Sequence, residues 1–366
     1  MKKILILSPY PEGIAAGQRL KYEQYFSDWE NSGYQLQKSS FFSLDTWNIL
    51  WSKGNILKKI LGTLSGYLRR FYDLFKLKDC DIVYIFMWAT PIGLPFYEWM
   101  IRKSGIKIIY DFDDAVFASP DYFSLMSIIK GDYKSKFLIK NAHQIILSSP
   151  FNLDYCKENN KLGSVTYIPC SLDLKRFTQK TQQFSKPPTL GWTGTFSSKP
   201  YLDSIKPVLY ELKKHIQYKI IFITNFDYEL PGLDLEVIKW SEENEIHDLH
   251  RIDIGLYPLT KSPWSLGKGG LKTLQYMAAG IPTISTDFGT VQDFVTHQDN
   301  GFLVNEQEDW INAVLRIISD SALRERMIAS ARQTVEEGYS VSANKKKYIN
   351  ILNNLKTTVK FIFIFV

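Results

Sequence analysis

Short apolar runs alternate with helix-length segments along most of this chain, and this alternation constrains the possible folds more than any other feature. The runs are continuous rather than interleaved with polar residues, as is typical of parallel strands covered on both faces. Regular alternation of strands and helices predicts doubly wound α/β units with parallel sheets. Helix-length segments include Gln18–Asn31 and Leu202–His215. The predicted strands are KILILS, DIVYIFM, IKIIYDF, HQIILSS and VTYIPC, then PTLGWTG, YKIIFIT, LEVIKW, DIGLYPL, IPTIST and GFLV.

The alternation is interrupted once, at FTQKTQQFSKPP, which spans residues 177–188. This stretch is polar, carries paired prolines and lacks periodicity, so it is typical of a linker. A chain of 366 residues also fits two domains better than one. We therefore predict two Rossmann-like domains of similar size, joined near residue 180. Because open α/β sheets bind ligands beyond the carboxyl ends of their strands, we expect a binding cleft between the two domains.

Composition excludes several classes of protein. The net charge of +6 is too small to indicate nucleic-acid binding unless it is concentrated. Three cysteines without metal-binding spacing, Cys80, Cys156 and Cys170, indicate reduced thiols in a cytoplasmic protein. The apolar run after Lys3 is too short for a signal peptide, and no stretch approaches the roughly 18 apolar residues of a spanning helix. We expect a cytoplasmic protein without a membrane span of its own.

The stretch Trp51–Lys78 is basic and has helical periodicity. It holds seven Lys or Arg residues against Asp73 as the single acidic residue, and Leu57, Leu64 and Phe75 recur at helical spacing. A basic amphipathic helix can lie on an anionic membrane surface, which predicts peripheral membrane contact through this stretch. The alternative is a domain helix whose apolar side is core and whose basic side is solvated.

The first predicted strand is followed by a glycine-bearing loop. Gly13 and Gly17 flank small residues ahead of a predicted helix, whose first N–H groups can approach an anion. Arg19 adds a positive charge in the first turn. A tight strand–helix connection without a ligand is the alternative, because the full GxGxxG fingerprint is absent.

The segment IIYDFDDAVF places Asp111, Asp113 and Asp114 at the carboxyl end of a predicted strand. Three carboxylates in four residues repel one another, so some should be exposed, hydrogen-bonded or beside a cation. Carboxylates at this position can act as a general base, bind sugar hydroxyls or hold a metal. The alternative is an acidic loop with an Asp cap for the next helix.

Neither set of candidate metal ligands is complete. No histidine or further acidic cluster lies near the three aspartates in the sequence. His247 and His250 can share one side of a helix, with Asp248 between them, but no third or fourth ligand stands nearby. A surface helix is the preferred interpretation, and we predict no metal site.

The strand–helix series restarts with a second glycine loop, LGWTGTFSSKPYLD. Gly191 and Gly194 bracket Trp192 and Thr193, and hydroxyl residues follow. Backbone N–H groups and hydroxyls can hold a diphosphate where the next helix begins near Tyr201. A βα turn capped by Ser or Thr is a common alternative, so this loop is informative only in combination with the next one.

A third glycine loop, TKSPWSLGKGG, follows the predicted strand DIGLYPL and precedes a helix from about Leu271 to Ala279. Its glycines let the backbone approach a ligand, and Lys268 stands among them. Lys272 and Gln275 lie on the first turns of the helix. We predict that this loop binds an anion; solvated lysines are the alternative. The glycines are Gly267, Gly269 and Gly270.

Taken in order, these motifs resemble family 4 retaining glycosyltransferases, which have the GT-B fold of two Rossmann-like domains. The donor-binding region is similar to the stretch from DIGLYPL to NGFLV, and its loop resembles a subgroup that reads G-K-x-x-x-K before YMAxGxP. IIYDFDDAVF, YIPCSLDLKRF, GWTGT and EEGYSV also match in order and spacing. The resemblance covers nearly the whole chain.

The resemblance implies an acceptor-side domain over residues 1–180 and a nucleotide-sugar-binding domain over residues 181–341. Residues 342–366 are expected to form a helix that crosses back to the N-terminal domain, followed by an apolar tail. The implied reaction moves a hexosyl-type sugar from a UDP- or GDP-sugar, with retention of configuration, to a glycan or lipid-linked acceptor in surface polysaccharide biosynthesis. Members generally need no metal, so no cofactor is expected.

This chain departs from the family at several positions. Many members carry two glutamates, eight positions apart, that contact the donor sugar and the ribose, where Gly267 and Gln275 stand here. Many also carry an Arg and a Lys after the first strand of the C-terminal domain, where Trp192 and Ser197 stand. The usual N-domain histidine is replaced by Met87–Trp88. Positive charge for a diphosphate is therefore expected from Lys268 and Lys272.

These patterns assign roles to particular residues. The predicted catalytic residues are Lys268, which stabilises the leaving diphosphate, and Asp113 and Asp114, one of which orients the acceptor or a sugar hydroxyl. Two other functions fit the same fold: a sugar-nucleotide epimerase, and a non-catalytic nucleotide-sugar-binding subunit of a glycan synthase complex. The predicted donor-binding residues are Gly17, Arg19, Gly191, Thr193, Gly194, Thr195, Trp240, Gly269, Gly270, Leu271, Lys272 and Gln275.

Overall fold

The computed structural model describes residues 1–50, 52–115, 132–181 and 184–355. The chain forms two compact units, of which the first comprises Met1–Cys170 with the chain from Asn344 onward, and the second comprises Ser171–Ala343. Each unit contains one six-stranded sheet. All strand pairs in both sheets are parallel, which confirms the predicted α/β class.

The sheet of the first unit is a doubly wound parallel sheet. Its strands are β1 Lys2–Ser8, β2 Tyr34–Ser40, β3 Ile82–Phe86, β4 Lys107–Phe112, β5 Gln144–Leu147 and β6 Ser164–Tyr167. The spatial order is β2-β1-β3-β4-β5-β6. The winding direction therefore reverses between β1 and β3, and ligands of such sheets bind beside the carboxyl ends of the strands at this reversal.

Helices and three short 3₁₀ turns connect these strands in the part of the unit that the structure describes. The helices are α1 Ala16–Arg19, α2 Phe26–Asn31, α3 Leu44–Leu50, α4 Ile56–Lys76, α5 Phe96–Lys103, α6 Asp132–Asn141 and α7 Leu153–Asn159. The predicted helix Gln18–Asn31 is divided into α1, a 3₁₀ turn at Glu23–Tyr25 and α2. This division turns Lys21 and Tyr22 inward as well as Trp29, and all three side chains are fully buried.

Strand β2 is absent from the sequence prediction. Its residues, YQLQKSS, interleave polar with apolar side chains and do not form a continuous apolar run. The strand lies at an edge of the sheet and pairs with β1 alone. Because an edge strand is covered less completely than an inner one, it retains polar side chains that hide it from a search for continuous apolar runs.

The sheet of the second unit repeats this architecture. Its strands are β7 Thr189–Gly194, β8 Lys219–Thr224, β9 Leu235–Lys239, β10 Ile254–Tyr257, β11 Thr283–Thr286 and β12 Phe302–Val304, each within a predicted run. The spatial order is β12-β11-β10-β7-β8-β9. The winding direction reverses between β7 and β10, and the second and third glycine loops follow these two strands.

The helices of the second unit pack around a core that includes Leu190, Phe222, Ile254 and Val314. The predicted helix Leu202–His215 is interrupted at Ile205, because Pro207 has no N–H to donate and starts a new helix. The helices of this unit are α8 Lys199–Ser204, α9 Lys206–Leu212, α10 Glu245–His250, α11 Pro263–Leu266, α12 Leu271–Ala278, α13 Gln307–Ser319 and α14 Ser321–Thr334. The last described helix, α15 Val341–Asn354, belongs to the first unit from Asn344 onward.

The first unit ends at Cys170 instead of near residue 180. The Leu172 N–H donates to the Tyr339 carbonyl at 2.8 Å, and the Lys180 ammonium lies 2.6 Å from Asp253 Oδ1. Residues 171–180 are therefore part of the second unit, although the stretch from residue 177 has a composition typical of a linker. The predicted apolar tail and Trp51 lie outside the described residues.

Two expectations from composition concern the whole fold. Cys80, Cys156 and Cys170 are all buried, and none of them forms a disulfide. Among the residues that the structure describes, no helix is both long enough and apolar enough to cross a bilayer.

Candidate active site

The second and third glycine loops lie side by side in the second unit. They follow β7 and β10, which pair with each other at Leu190 and Ile254. Two further contacts join the β7 loop to α12: the Thr193 N–H donates to the Tyr276 hydroxyl at 3.0 Å, and Lys272 Nζ donates to Ser198 Oγ at 3.2 Å. The two loops that were predicted to act together are therefore in direct contact.

The two predicted donor-binding glycines of β7 are packed against side chains. A Cβ atom on Gly191 would lie 2.3 Å from the Ile252 side chain, so the absence of a side chain there is explained by packing within the sheet. A Cβ atom on Gly194 would lie 2.3 Å from the Trp192 ring and 3.1 Å from Lys272 Cε. Gly194 therefore makes room for the lysine beside the loop.

Lys272 has a defined position between two loops. Its ammonium lies 5.1 Å from the centroid of the Trp192 ring and 5.7 Å from that of Tyr257, and both rings are buried. Such cation–π contacts hold a lysine at a fixed place. Trp192 thus helps to position a cation that comes from α12.

Lys268 stands among the three glycines of the third loop and is partly exposed. The Lys268 ammonium lies 5.7 Å from the centroid of the Trp264 ring, which is itself exposed. Gly270 has φ of +69° at the start of α12, and a Cβ atom there would lie 2.7 Å from the Phe294 ring. Both constraints require glycine at this position. Gly269 and Leu271 are partly exposed on either side of it.

The hydroxyl residues of the β7 loop bond mainly to one another. Thr195 Oγ1 lies 3.0 Å from Ser197 Oγ, and the Ser198 N–H donates to the Thr195 carbonyl at 2.9 Å. The Phe196 N–H donates to Asn225 Oδ1 at 2.9 Å. The loop is thereby a defined turn in front of α8, with Ser198 facing Lys272.

A buried carboxylate, Glu245, lies beside Gln275. Glu245 Oε1 accepts hydrogen bonds from Gln275 Nε2 and from Trp240 Nε1, each at 3.3 Å, and Oε2 lies 3.0 Å from Arg176 Nη2. Sequence reasoning missed Glu245 because it considered the histidines of the same helix. The Glu245 carboxylate joins two predicted donor-binding residues, Trp240 and Gln275, that are far apart in the sequence.

The histidines of α10 are engaged individually. His247 Nδ1 lies 3.2 Å from Asp248 Oδ1, and His250 Nε2 lies 2.9 Å from the Thr178 carbonyl. Within residues 1–50, 52–115, 132–181 and 184–355, no group of three His, Cys, Asp or Glu side chains is placed to hold a metal ion.

The first unit contains a buried charge cluster at the end of β4. Lys21 is fully buried, with Nζ 2.5 Å from Asp111 Oδ1 and 3.1 Å from Asp113 Oδ1, and it donates to the Phe112 carbonyl at 2.7 Å. The Tyr84 hydroxyl donates to Asp111 as well. The expected cation is therefore Lys21, which sequence reasoning missed because lysines on helix-like segments are usually solvated.

Burial and pairing act in opposite directions on this cluster. Burial raises the pKa of Asp111 to about 6, against the opposing effect of Lys21. Burial lowers the pKa of Lys21, but the carboxylates of Asp111 and Asp113 outweigh it and hold this pKa above its ordinary value. The lysine therefore stays charged, and its charge holds both carboxyl groups.

The three aspartates differ in accessibility. Asp111 is fully buried, whereas the Asp113 side chain is 19% exposed and accepts a hydrogen bond from Ser148 Oγ at 2.7 Å. Asp114 has φ of +58°, and its carbonyl accepts from Asn152 Nδ2 at 3.0 Å. Positive φ at a non-glycine residue is strained and is common at functional sites. Asp113 is thus a fixed carboxylate with access to solvent.

The first glycine loop is occupied by carboxylates of the protein itself. The Gly13 N–H donates to Glu23 Oε2 at 2.8 Å, and burial raises the pKa of Glu23 to about 7. A Cβ atom on Gly17 would lie 2.9 Å from Asp113 Oδ2, so glycine makes room for that carboxylate. Arg19 is buried. These contacts match the tight strand–helix connection that the sequence left open.

Comparison with known proteins adds a family match over part of the chain and a fold for nearly all of it. Residues 229–334 match the family described as Glycosyl transferases group 1. A curated relative, trehalose synthase of Pyrococcus horikoshii, is 26% identical over 86 residues, which cover 24% of this chain and 21% of that protein. The chain thus matches about a fifth of that relative's length.

Solved structures resemble nearly the whole chain. Sucrose-phosphate synthase of Thermosynechococcus elongatus has a TM-score of 0.72 at 14% identity, with 97% of this chain and 99% of that one covered. HepE of Anabaena, solved in complex with UDP and glucose, has a TM-score of 0.64 at 14% identity, with 96% and 100% covered. The fold is GT-B. With the family match, this supports a glycosyltransferase enzyme and confirms that prediction.

We predict that Lys21→Met destabilises the protein by about 3–5 kcal/mol, because it leaves Asp111 buried without its cation. The measurement is urea unfolding of the full chain. Lys38→Met is the control: Lys38 pairs with Glu12 at 2.7 Å at the surface, and its loss should cost less than about 1 kcal/mol. Equal, small losses for both variants would show that the buried cluster does not stabilise the fold.

Proposed function

We propose that this protein is a family 4 retaining glycosyltransferase that moves a sugar from a UDP- or GDP-sugar to a glycan or lipid-linked acceptor of a surface polysaccharide. One observation carries the proposal: two glycine loops meet at the winding reversal of the second sheet, with Lys272 held between them. The third glycine loop lies within the segment that matches Glycosyl transferases group 1. HepE, of the same fold, was solved with UDP and glucose.

The reaction requires stabilisation of a nucleoside diphosphate as negative charge develops on it. Lys272, Lys268 and the backbone of Gly269–Gly270 supply positive charge and N–H groups in this proposal. The first turn of α12 adds N–H groups without intrahelical acceptors. Lys272 reaches Ser198, one residue beyond Ser197, so α12 delivers a cation close to the place where many members carry one on the β7 loop.

Gln275 binds the ribose in this proposal, and Glu245 orients it. A carboxylate can only accept hydrogen bonds, so the Gln275 amide must turn its NH₂ group toward Glu245. Its Oε1 then accepts a hydrogen bond from a ribose hydroxyl. The indole N–H of Trp240 is held by the same carboxylate oxygen. Glu245 thus acts as a positioning residue for two donor-binding side chains.

Asp113 orients the acceptor or a sugar hydroxyl, and Asp114 supports the turn that presents it. Its partners Lys21 and Ser148 hold the Asp113 carboxylate in place, while part of it reaches solvent. We propose that transfer proceeds without a metal cofactor, in the cytoplasm, by a protein that contacts the membrane peripherally through the stretch Trp51–Lys78.

Incubation with UDP- and GDP-sugars, with and without short glycan acceptors, tests the proposal. Acceptor-dependent release of the nucleoside diphosphate is the expected result. A sugar isomerised in its nucleotide-bound form would identify an epimerase instead. Saturable binding of the nucleotide-sugar without turnover, across a panel of acceptors, would identify a non-catalytic binding subunit.

We predict that Lys272→Ala and Lys268→Ala each cost about 2–4 kcal/mol of transition-state stabilisation, measured as the loss in kcat/KM. Removal of either cation leaves the leaving diphosphate less stabilised. Lys261→Ala is the matched control, since Lys261 is an exposed lysine of the same loop. Turnover unchanged in Lys268→Ala would remove that residue from the catalytic assignment.

We predict that Gln275→Ala raises the KM for the donor about fivefold and leaves kcat nearly unchanged, since a neutral hydrogen bond contributes about 1 kcal/mol in both ground and transition states. The variant should also lose discrimination between a nucleoside diphosphate and its 2′- and 3′-deoxy forms in binding assays. Glu245→Gln should reduce this discrimination partially, because its amide no longer fixes the Gln275 orientation.

The control for this pair is Gln292→Ala, which removes an exposed amide bonded to Asp287 in the same unit. Full discrimination retained in both Gln275→Ala and Glu245→Gln would contradict the ribose assignment. A loss of stability alone would lower binding of ribose and deoxyribose nucleotides equally.

A further inference from the structure

Helix α4 turns its apolar side toward solvent. Nine large apolar side chains between Ile56 and Phe75 are 45–70% exposed, among them Leu57, Leu61 and Leu68. A surface helix of a soluble domain normally shows the opposite arrangement, with its apolar stripe in the core. The alternative interpretation of the sequence, a helix whose apolar side is core, is therefore wrong.

The buried residues of α4 are Gly66, Arg70 and Asp73, which are small or charged. A Cβ atom on Gly66 would lie 2.6 Å from the Phe41 ring, so the helix is packed closely against it. Arg70 is fully buried and donates to the carbonyls of Ser8 at 2.8 Å and Ala89 at 2.7 Å. It also pairs with Asp73 at 3.0 Å.

These contacts fix the rotation of the helix about its axis. Turning the apolar stripe inward would move Arg70 and Asp73 out of their hydrogen bonds, or leave one of them buried without a partner. Buried arginine is tolerated here because its donors have acceptors on three segments of the chain. The exposed apolar stripe is thus a stable feature of the folded unit.

A second group of exposed apolar side chains adjoins this stripe. The Tyr67 hydroxyl of α4 donates to the Ile92 carbonyl at 2.7 Å, and the Tyr97 hydroxyl of α5 donates to the Tyr67 carbonyl at 3.3 Å. We name the exposed apolar side chains of α4, together with those beside it, the α4–α5 surface. The additional members are Ile92, Leu94, Phe96 and Trp99, which are 46–56% exposed.

Exposed lysine side chains lie on the segments that form this surface. Between Ser52 and Lys78 the single acidic residue is Asp73, and it is buried against Arg70 and Lys76. Lys53 and Lys58 are exposed at the start of the stretch. Lys103 is exposed at the other side, 5.8 Å from the centroid of the Trp99 ring.

We infer that the α4–α5 surface docks on an anionic lipid bilayer, with the leucines and aromatic rings among the acyl chains and the lysines at the headgroups. Apolar side chains flanked by lysines are the pattern of interfacial helices, and tryptophan prefers the boundary between headgroups and hydrocarbon. This inference gives the membrane contact of the proposed function its residues and its lipid charge. It does not depend on the sugar-transfer reaction.

The test is co-sedimentation of the full chain with phosphatidylcholine vesicles, with and without phosphatidylglycerol. Binding should require the anionic lipid and should weaken as salt is raised. Leu61→Glu combined with Leu68→Glu should reduce partitioning at least about 100-fold, because two buried apolar contacts are lost. Lys58→Glu combined with Lys103→Glu should reduce it at least about fivefold per site.

Leu162→Glu is the matched control, because Leu162 lies outside this surface and is 44% exposed. This variant should bind vesicles as the unaltered chain does. Circular dichroism confirms that each variant is folded. Nucleoside diphosphate release in vesicle-free solution is measured on all variants. A failure of the proposed enzyme would abolish release in every variant, whereas a failure of the docking inference would leave vesicle binding unchanged.

Three results would overturn the inference. One is equal vesicle binding by Leu61→Glu/Leu68→Glu and the unaltered chain. Another is loss of binding on deletion of residues 356–366 while the α4–α5 variants bind normally, which would assign docking to the tail. A third is a dimer in light scattering that Leu61→Glu/Leu68→Glu dissociates, with no affinity for anionic vesicles, which would make the surface an interface between copies.

Discussion

Parallel pairing of β7 with β10 places two loops from distant parts of the chain at one edge of a sheet. Each of these loops, taken alone, is an ordinary strand–helix connection with glycines. Their proximity follows from the strand order, which reverses between these two strands and brings both carboxyl ends together. Lys272 then reaches Ser198, and Tyr276 reaches the Thr193 N–H. The candidate donor site depends on this one pairing.

Buried or half-buried cations recur in both units, and their partners determine what each of them does. Lys21 holds two carboxylates at the end of β4, so that Asp113 is kept in place at the margin of solvent. Arg70 fixes the rotation of α4 and leaves its apolar stripe exposed. Lys272 lies against aromatic rings and a hydroxyl group. A lysine or arginine removed from water requires such partners, and each set of partners comes from several strands or loops.

Two positions at which the chain differs from the pattern of the family that we propose for it are explained by these contacts. Trp192, which stands where many members carry a cation, lies under the ammonium of Lys272. Gln275, which stands where many members carry a glutamate, bonds to the buried carboxylate of Glu245. Beside Trp192 the cation is Lys272 of α12, and beside Gln275 the carboxylate is Glu245 of α10.

The sequence by itself determined the fold class, eleven of the twelve strands that the structure describes and the two glycine loops of the second unit, because continuous apolar runs and glycines at strand ends are local signals. It did not reveal β2, whose polar side chains suit an edge position, nor Lys21 and Glu245, whose roles arise from partners far away in the chain. The tertiary structure alone decided which charged groups are buried and which side of α4 faces solvent. Burial of a charge depends on the partners that strand order brings to it, and no local pattern of residues contains that information.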